Sequence, residues 1–160
     1  MMYFSLIDKI IDVHAEKRIT AIKQLMPDEP YLRDHFPGFP VMPGVLMLEA
    51  MYQTAAWLLM FDNSFSTGIP RLKATSKVRY GNFVRPGDVL TITANMVKRQ
   101  EDQFTLFASG VVNDTTAVSA RLVLEENWPE QMSDPSYQIT DFRTEFDRLF
   151  KPAAELVKTI

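Results

Sequence analysis

Residues 35–61 read HFPGFPVMPGVLMLEAMYQTAAWLLMF, a loop rich in proline and glycine followed by a long apolar run. The run over residues 45–61 is too long for an ordinary strand, and its many Leu, Met and Ala residues favour a helix. Because this helix is apolar on nearly all sides, we expect other structure to enclose it. One buried helix is therefore the centre of the predicted fold.

The second half of the chain has the alternation typical of antiparallel strands. Residues 72–80 alternate small or apolar side chains with charged ones, which predicts a half-buried strand. Three further strands are predicted at residues 89–97, 104–112 and 117–125, and turns at 85–88 and 113–114. Two shorter β-leaning segments, 4–11 and 18–25, flank polar residues 12–17. Five or six antiparallel strands around one helix make an α+β architecture.

The C-terminal part differs from the rest. Residues 127–135 are linker-like, and after them Phe142, Phe146, Leu149 and Phe150 recur at the spacing of an amphipathic helix. We therefore expect a domain over residues 1–126. Residues 127–160 would form a linker and a helix whose apolar stripe packs on that domain or on a partner.

Composition excludes several classes of function. The 160 residues suit one domain with a real core, and the absence of cysteine excludes disulfides and thiolate chemistry. His14 and His35 are the only histidines, so we expect no metal site. A net charge of −3 without a basic run argues against nucleic-acid binding. Nothing resembles a signal peptide, and the apolar run contains Glu49 and Gln53, so we expect a cytoplasmic protein outside the membrane.

Three polar groups near the loop suit removal of a proton beside a carbonyl. His35 is a competent general base at neutral pH, and Glu49, about one turn into an apolar helix, can donate a proton if burial dominates. The Gly44 amide at the helix start would polarise a carbonyl oxygen. Gln53 shares the helical face of Glu49 and would orient it. These parts suit elimination of water from a 3-hydroxyacyl compound, although each residue also has a purely structural interpretation.

Residues 34–46, continuing to Glu49, Ala50 and Gln53, closely resemble the 3-hydroxyacyl-[acyl-carrier-protein] dehydratases of the FabZ type. The resemblance extends to residues 4–10, 17–23 and 84–88, and so covers roughly residues 4–125. It implies a hot-dog fold, in which an antiparallel sheet wraps around a long central helix. Here the C-terminal helix would be an addition to that fold.

The resemblance also implies roles for particular residues. His35 would take the C2 proton, Glu49 would handle the departing hydroxyl, and the Gly44 amide would hold the thioester carbonyl. Four more residues would shape the loop and the substrate tunnel: Phe36, Pro37, Gly38 and Pro43. The reaction would convert a (3R)-3-hydroxyacyl chain to the trans-2-enoyl form in fatty-acid or related acyl-chain synthesis, without a metal or redox cofactor.

Partners follow from the same resemblance. The substrate would arrive on the phosphopantetheine arm of an acyl carrier protein, and the active site would lie between the subunits of a homodimer or of a trimer of dimers. Asp34 stands where the family usually has glycine, which marks a divergent member. Two alternatives remain open: a hot-dog acyl thioesterase, and a non-catalytic acyl-carrier-binding subunit of a synthase.

Overall fold

The computed structural model describes residues 5–126 and 139–152, with side chains from residue 142 onward in the second range. Within these ranges a six-stranded sheet accompanies two α-helices, and a 3₁₀ turn at Pro30–Leu32 follows the second strand. The strands are β1 (Lys9–His14), β2 (Arg18–Gln24), β3 (Arg71–Tyr80), β4 (Val89–Gln100), β5 (Gln103–Val112) and β6 (Thr115–Glu125). The helices are α1 (Gly44–Asp62) and α2 (Ile139–Leu149).

The sheet is antiparallel throughout, in the order β1-β2-β4-β5-β6-β3. Alternate side chains on its central strands are buried against α1, which packs across β2, β4, β5 and β6. This arrangement confirms the predicted α+β architecture of a sheet around one central helix. The predicted strands over residues 89–125 are also confirmed, with ends shifted by three residues or fewer.

Helix α1 is the core of the domain. It begins after Pro43, whose fixed φ suits the entry of a helix, and it ends at Asp62, after which the Asn63 N–H donates to the Leu59 carbonyl at 3.2 Å. Its length and composition would suit a membrane span, but most of it is enclosed by the sheet. The prediction of an enclosed helix over residues 45–61 is therefore confirmed.

The first strand was placed too early by the sequence pattern. Strand β1 covers Lys9–His14, so Asp12 and His14 pair with β2 instead of lying in a connection. Because β1 is an edge strand, its polar side chains can remain in water. Its sequence therefore lacks the regular alternation of apolar and polar residues by which a strand is recognised. The Asp12 carboxylate lies 3.1 Å from the His14 imidazole on this exposed edge. Phe4, predicted to begin the strand, is outside the described residues.

Strand β3 corrects a second expectation. It lies at the other edge of the sheet, and most of its side chains are exposed on both faces, with Leu72 and Val78 only partly covered. Its pairing with β6 is interrupted twice, and Lys77 adopts a φ of 53° at the second irregularity. Alternation over residues 72–80 thus predicts a strand correctly, but not a buried face within one chain.

Helix α2 buries the predicted apolar stripe on the body of the domain. The Phe146 ring lies 5.3 Å from that of Phe61 and 5.5 Å from that of Phe65. Beyond the helix, the Lys151 N–H donates to the Ile10 carbonyl of β1 at 2.8 Å. Residues 127–138, including the predicted linker, lie outside the described residues. The division into residues 1–126 and 127–160 stays a prediction.

Candidate active site

Backbone hydrogen bonds hold the loop that carries His35. The Leu32 N–H donates to the Glu29 carbonyl at 3.0 Å, and the His35 N–H donates to the Leu32 carbonyl at 3.4 Å. On the far side, the Val41 N–H returns to the His35 carbonyl at 2.9 Å. His35 is therefore fixed at the base of a closed loop.

The loop reverses direction at a tight turn. Phe36 and Phe39 exchange backbone hydrogen bonds of 3.0 and 3.2 Å, and Pro37 and Gly38 are the two central residues. Gly38 has a φ of 81°, which is the region that the third residue of a type II turn requires. Pro37 and Gly38 are exposed and shape the loop, and neither lines the cavity beside His35 that is described below.

The His35 imidazole is oriented by the same loop. Its Nδ1 lies 3.0 Å from the Val41 carbonyl oxygen. Because a carbonyl can only accept, the neutral ring carries its proton on Nδ1 and keeps a lone pair on Nε2. The ring also stacks on that of Phe36, with centroids 4.3 Å apart. This arrangement leaves Nε2 as the nitrogen able to accept a proton.

Gly44 opens α1 beside an aromatic ring. The Pro43 carbonyl accepts from Leu46 and Met47, and no hydrogen bond between described residues uses the Gly44 N–H. That N–H points along the positive end of the helix dipole. A Cβ at this position would lie 2.9 Å from Cε1 of Tyr80, so only glycine allows the ring to pack this closely.

Glu49 and Gln53 are joined on one face of α1, as their spacing predicts. Gln53 is 1% exposed, and its Nε2 donates to Oε1 of Glu49 at 3.1 Å. Its own Oε1 accepts from the backbone N–H of Leu6 at 2.8 Å. The amide therefore links the N-terminal segment to the carboxyl group of Glu49, which is itself half-buried.

Tyr52 adds to the electrostatics around Glu49. Burial raises the pKa of Tyr52 to about 12, and the Glu49 carboxylate contributes in the same direction. The Tyr52 hydroxyl donates to the Pro70 carbonyl at 2.6 Å. Tyr52 therefore stays protonated at neutral pH and serves as a fixed hydrogen-bond donor.

A cavity of about 450 Å³ joins the loop to the start of α1. It is lined by His35, Phe36, Gly44 and Met47, and on the opposite side by Tyr80–Phe83. Its lining is mostly apolar. Glu49 and Gln53 do not line it within one chain, and Pro43 lies beside it at the entry to α1. Of the residues proposed for chemistry, the structure brings His35 and Gly44 together.

Comparison with known proteins identifies the family of the chain. The model of the FabA-like domain matches residues 1–121. The chain belongs to the FabA-like family.

Curated relatives of this FabA-like chain are 3-hydroxyacyl-[acyl-carrier-protein] dehydratases named FabZ. The protein from Caldicellulosiruptor saccharolyticus is 42% identical over 94 residues, which are 59% of this chain and 67% of the relative. The protein from Polynucleobacter necessarius is 33% identical over 119 residues, 74% of this chain and 80% of the relative. The resemblance noted in the sequence is confirmed.

Solved structures share the fold at low sequence identity. One is the dehydratase heterocomplex ApeI:P from Xenorhabdus doucetiae, with a TM-score of 0.64 and 19% identity over 79% of this chain and 84% of that one. Another is smu.793 from Streptococcus mutans bound to acetyl CoA, with a TM-score of 0.62 and 12% identity over 79% and 93%. These neighbours confirm the hot-dog fold.

Two features of the FabA-like site were missed by sequence reasoning. Tyr80 was assigned only to a strand, although its ring packs on Gly44. The Leu6 amide, which orients Gln53, is a backbone group 47 residues away and carries no local signal. Among the described residues, no group of three His, Asp or Glu side chains is placed to hold a metal ion.

Proposed function

We propose that the protein dehydrates (3R)-3-hydroxyacyl-[acyl carrier protein] to the trans-2-enoyl form in fatty-acid biosynthesis or related acyl-chain synthesis. Membership of the FabA-like family and identity to curated FabZ dehydratases support this hydro-lyase activity. The observation that carries the proposal is one apolar cavity lined by both His35 and Gly44. The orientation of His35 leaves Nε2 with a lone pair for the reaction.

The proposed reaction divides between three groups. Nε2 of His35 takes a proton from C2 of the substrate, and the electrons of that C–H bond form the C2–C3 double bond. The C3–O bond breaks, and Glu49 gives the departing hydroxyl the proton that makes it water. The Gly44 N–H donates to the thioester oxygen, where negative charge develops.

We further propose that Glu49 reaches this cavity from a second copy of the chain in a homodimer. Strand β3, whose outer edge pairs with no strand among the described residues, and the exposed side chains of Val45, Tyr80 and Phe83 beside the cavity support a partner at this face. Because Glu49 does not line the cavity of its own chain, a symmetric pair would complete two sites at once. A trimer of such dimers is the alternative assembly.

The substrate would be delivered on the phosphopantetheine arm of an acidic acyl carrier protein, without a metal or redox cofactor. Exposed Arg79 and Arg85 flank the Tyr80–Phe83 wall of the cavity, and the Arg85 guanidinium lies 5.0 Å from the centre of the Phe39 ring. Cations at the rim of a site speed encounter with an acidic partner. The expected location of such an enzyme is the cytoplasm.

A product assay tests the function. The purified protein is incubated with a 3-hydroxyacyl carrier thioester, and the acyl products are followed by mass spectrometry. Loss of water supports the dehydratase, release of the free acid would identify a thioesterase instead, and binding without turnover would identify a non-catalytic carrier-binding subunit. His35→Ala and Glu49→Gln should each abolish dehydration while size-exclusion chromatography shows an unchanged assembly.

A further inference from the structure

We propose that the buried ion pair between Lys23 and Glu29 is a positioning device for the His35 loop. Lys23 lies on β2 with a side chain only 6% exposed, and the side chain of Glu29 is 16% exposed. The Lys23 ammonium donates to Oε1 of Glu29 at 2.6 Å. The inference rests on the proposed dehydratase function, in which the placement of His35 decides the rate.

The surroundings of Lys23 are unusual for a strand residue. A lysine is rarely buried this fully unless it is paired. A second carboxylate, that of Asp8, lies 3.8 Å from the Lys23 ammonium and accepts the Gln24 N–H at 2.6 Å. Burial, aided by the Glu29 and Asp8 carboxylates, also raises the pKa of the nearby Tyr31 hydroxyl well above its usual range. The Lys23 ammonium is therefore the cation that balances two carboxylates at this point.

A short hydrogen-bonded path connects Glu29 to the site. The Glu29 carbonyl accepts from Leu32, whose carbonyl accepts from His35. Earlier in the chain, Leu25 follows the last residue of β2 and is hydrogen-bonded to the turn before β4. Its N–H donates to the Asp88 carbonyl, and its carbonyl accepts from the Gly87 N–H. Residues 26–28 between these anchors are exposed. The carboxylate of Glu29 thus attaches the start of the 3₁₀ turn to β2.

A buried ion pair contributes little net stability compared with apolar side chains of similar size, but it demands one geometry. Loss of that geometry would let the 3₁₀ turn shift and carry His35 with it. A displacement of about 1 Å in a reacting group can reduce a rate about 100-fold. Because Lys23 and Glu29 do not line the cavity, substrate binding itself would change little.

The test compares Lys23→Met and Glu29→Gln with the double variant Lys23→Met/Glu29→Met. Lys23→Met leaves the Glu29 carboxylate without its cation, and Glu29→Gln leaves the Lys23 ammonium with only the more distant Asp8 carboxylate. Each single variant should therefore lower the melting temperature, whereas the double variant should recover it. For a positioning role, kcat of the double variant stays about 10- to 100-fold below that of the wild-type protein with KM nearly unchanged. Recovery of kcat together with stability would overturn the proposal, as would a change confined to KM.

A second measurement does not depend on turnover. The imidazole NMR signals of His35, distinguished from those of His14 by a His14→Gln substitution, should shift or broaden in the double variant. Unchanged His35 signals would overturn the positioning role of the ion pair even if the protein proves not to be a dehydratase. Failure of this proposal is therefore distinguishable from failure of the proposed function. The control is Arg148→Met/Glu145→Met, which removes an ion pair of the same 2.6 Å length on α2 whose cation is 64% exposed, and it should leave kcat and the His35 signals unchanged.

Discussion

The carboxyl group of Glu49 is held by the side-chain amide of Gln53, one helical turn further along α1. The amide has a fixed orientation, because its oxygen accepts the Leu6 N–H and its nitrogen must therefore face Glu49. One carboxyl oxygen of Glu49 is thus engaged, and no hydrogen bond between described residues reaches the second, which the proposed reaction would use. The proposed acid is positioned by a contact that originates in the N-terminal segment.

Replacing Gln53 with leucine should reduce both activity and stability. The buried Leu6 N–H loses its acceptor, which we expect to lower the free energy of unfolding by about 1–3 kcal/mol. Glu49 loses its orientation, and kcat should fall about 10-fold or more. Urea denaturation and steady-state kinetics measure the two effects. The exposed Gln24→Leu serves as control, and a Gln53→Leu variant with unchanged kcat would contradict the positioning of Glu49 by Gln53.

Two inactive variants should complement each other if the site is shared between subunits. Co-expression of His35→Ala with Glu49→Gln produces mixed dimers in which one of the two sites has both residues intact. Random pairing predicts about one quarter of wild-type activity, because half of the dimers are mixed and each has one intact site. Activity is measured on the purified mixture and on each variant alone. No recovery in a sample shown by mass spectrometry to contain mixed dimers would place both residues of a site in one chain.

Gly38 and Gly68 form a matched pair for testing the turn in the His35 loop. A Cβ would meet nothing within 4 Å at either position, but only Gly38 has a positive φ, at 81°. Gly38→Ala should therefore lower the free energy of unfolding by about 1 kcal/mol or more and reduce kcat, whereas Gly68→Ala should be neutral or slightly stabilising. Chemical denaturation of both variants measures the difference. Equal effects would show that the turn does not require a positive φ.

Asp62 should weaken the fold as the pH rises. Its side chain is 3% exposed at the C-terminus of α1, and burial raises its pKa above the ordinary 3.8, although the Glu16 N–H and Arg99 act in the opposite direction. As the pH rises, the Asp62 carboxyl group ionises in the unfolded chain at a lower pH than in the folded protein. The free energy of unfolding therefore falls between about pH 3.8 and the raised pKa of the folded state, and it loses nothing further from this group above that pKa.

The side chain of the Asp62→Asn variant stays neutral at every pH. The stability of this variant relative to the wild-type protein should therefore increase as the pH rises. Thermal unfolding of both proteins from about pH 4 to about pH 7 measures the difference in melting temperature. We expect this difference, variant minus wild type, to become more positive with pH. A constant or decreasing difference would contradict the raised pKa of Asp62.

The aromatic contacts of α2 should make a large contribution to stability. Phe146 is buried, and its ring packs near those of Trp57, Phe61 and Phe65. Phe146→Ala should lower the free energy of unfolding by about 3–5 kcal/mol, because it leaves a cavity beside the end of α1. The exposed Arg148→Ala on the same helix should change it by less than about 1 kcal/mol. Similar small effects for both variants would show that α2 contributes little to the domain.

The parts of this protein that the sequence predicts well depend on local periodicity. Helix α1 and strands β4 to β6 are recognisable because their buried positions recur at regular spacing, and Glu49 and Gln53 meet because they are four residues apart. The bounds of β1 and the burial of β3 were harder to predict, because polar side chains remain in water along β1 and β3 is exposed on both faces. An edge is a property of the assembled sheet, which no window of sequence contains.

Long-range contacts account for the other differences. The ring of Tyr80 reaches Gly44 from a different strand, and the Leu6 amide reaches Gln53 from the start of the domain. Lys23 looks like an ordinary polar strand residue in the sequence, and its pairing with Glu29 becomes visible only when the loop folds back on β2. These contacts depend on tertiary structure, so spacing alone does not predict them.

The contact between Lys151 and Ile10 also limits how far this sheet can be extended. It occupies part of the β1 edge with a segment of the same chain, while no strand among the described residues pairs with the outer edge of β3. A sheet with two open edges can add copies without limit, as in a fibre. If the proposed homodimer forms through β3, two copies that pair there leave neither with a second free edge, so the C-terminal segment would favour a closed pair over an open-ended stack.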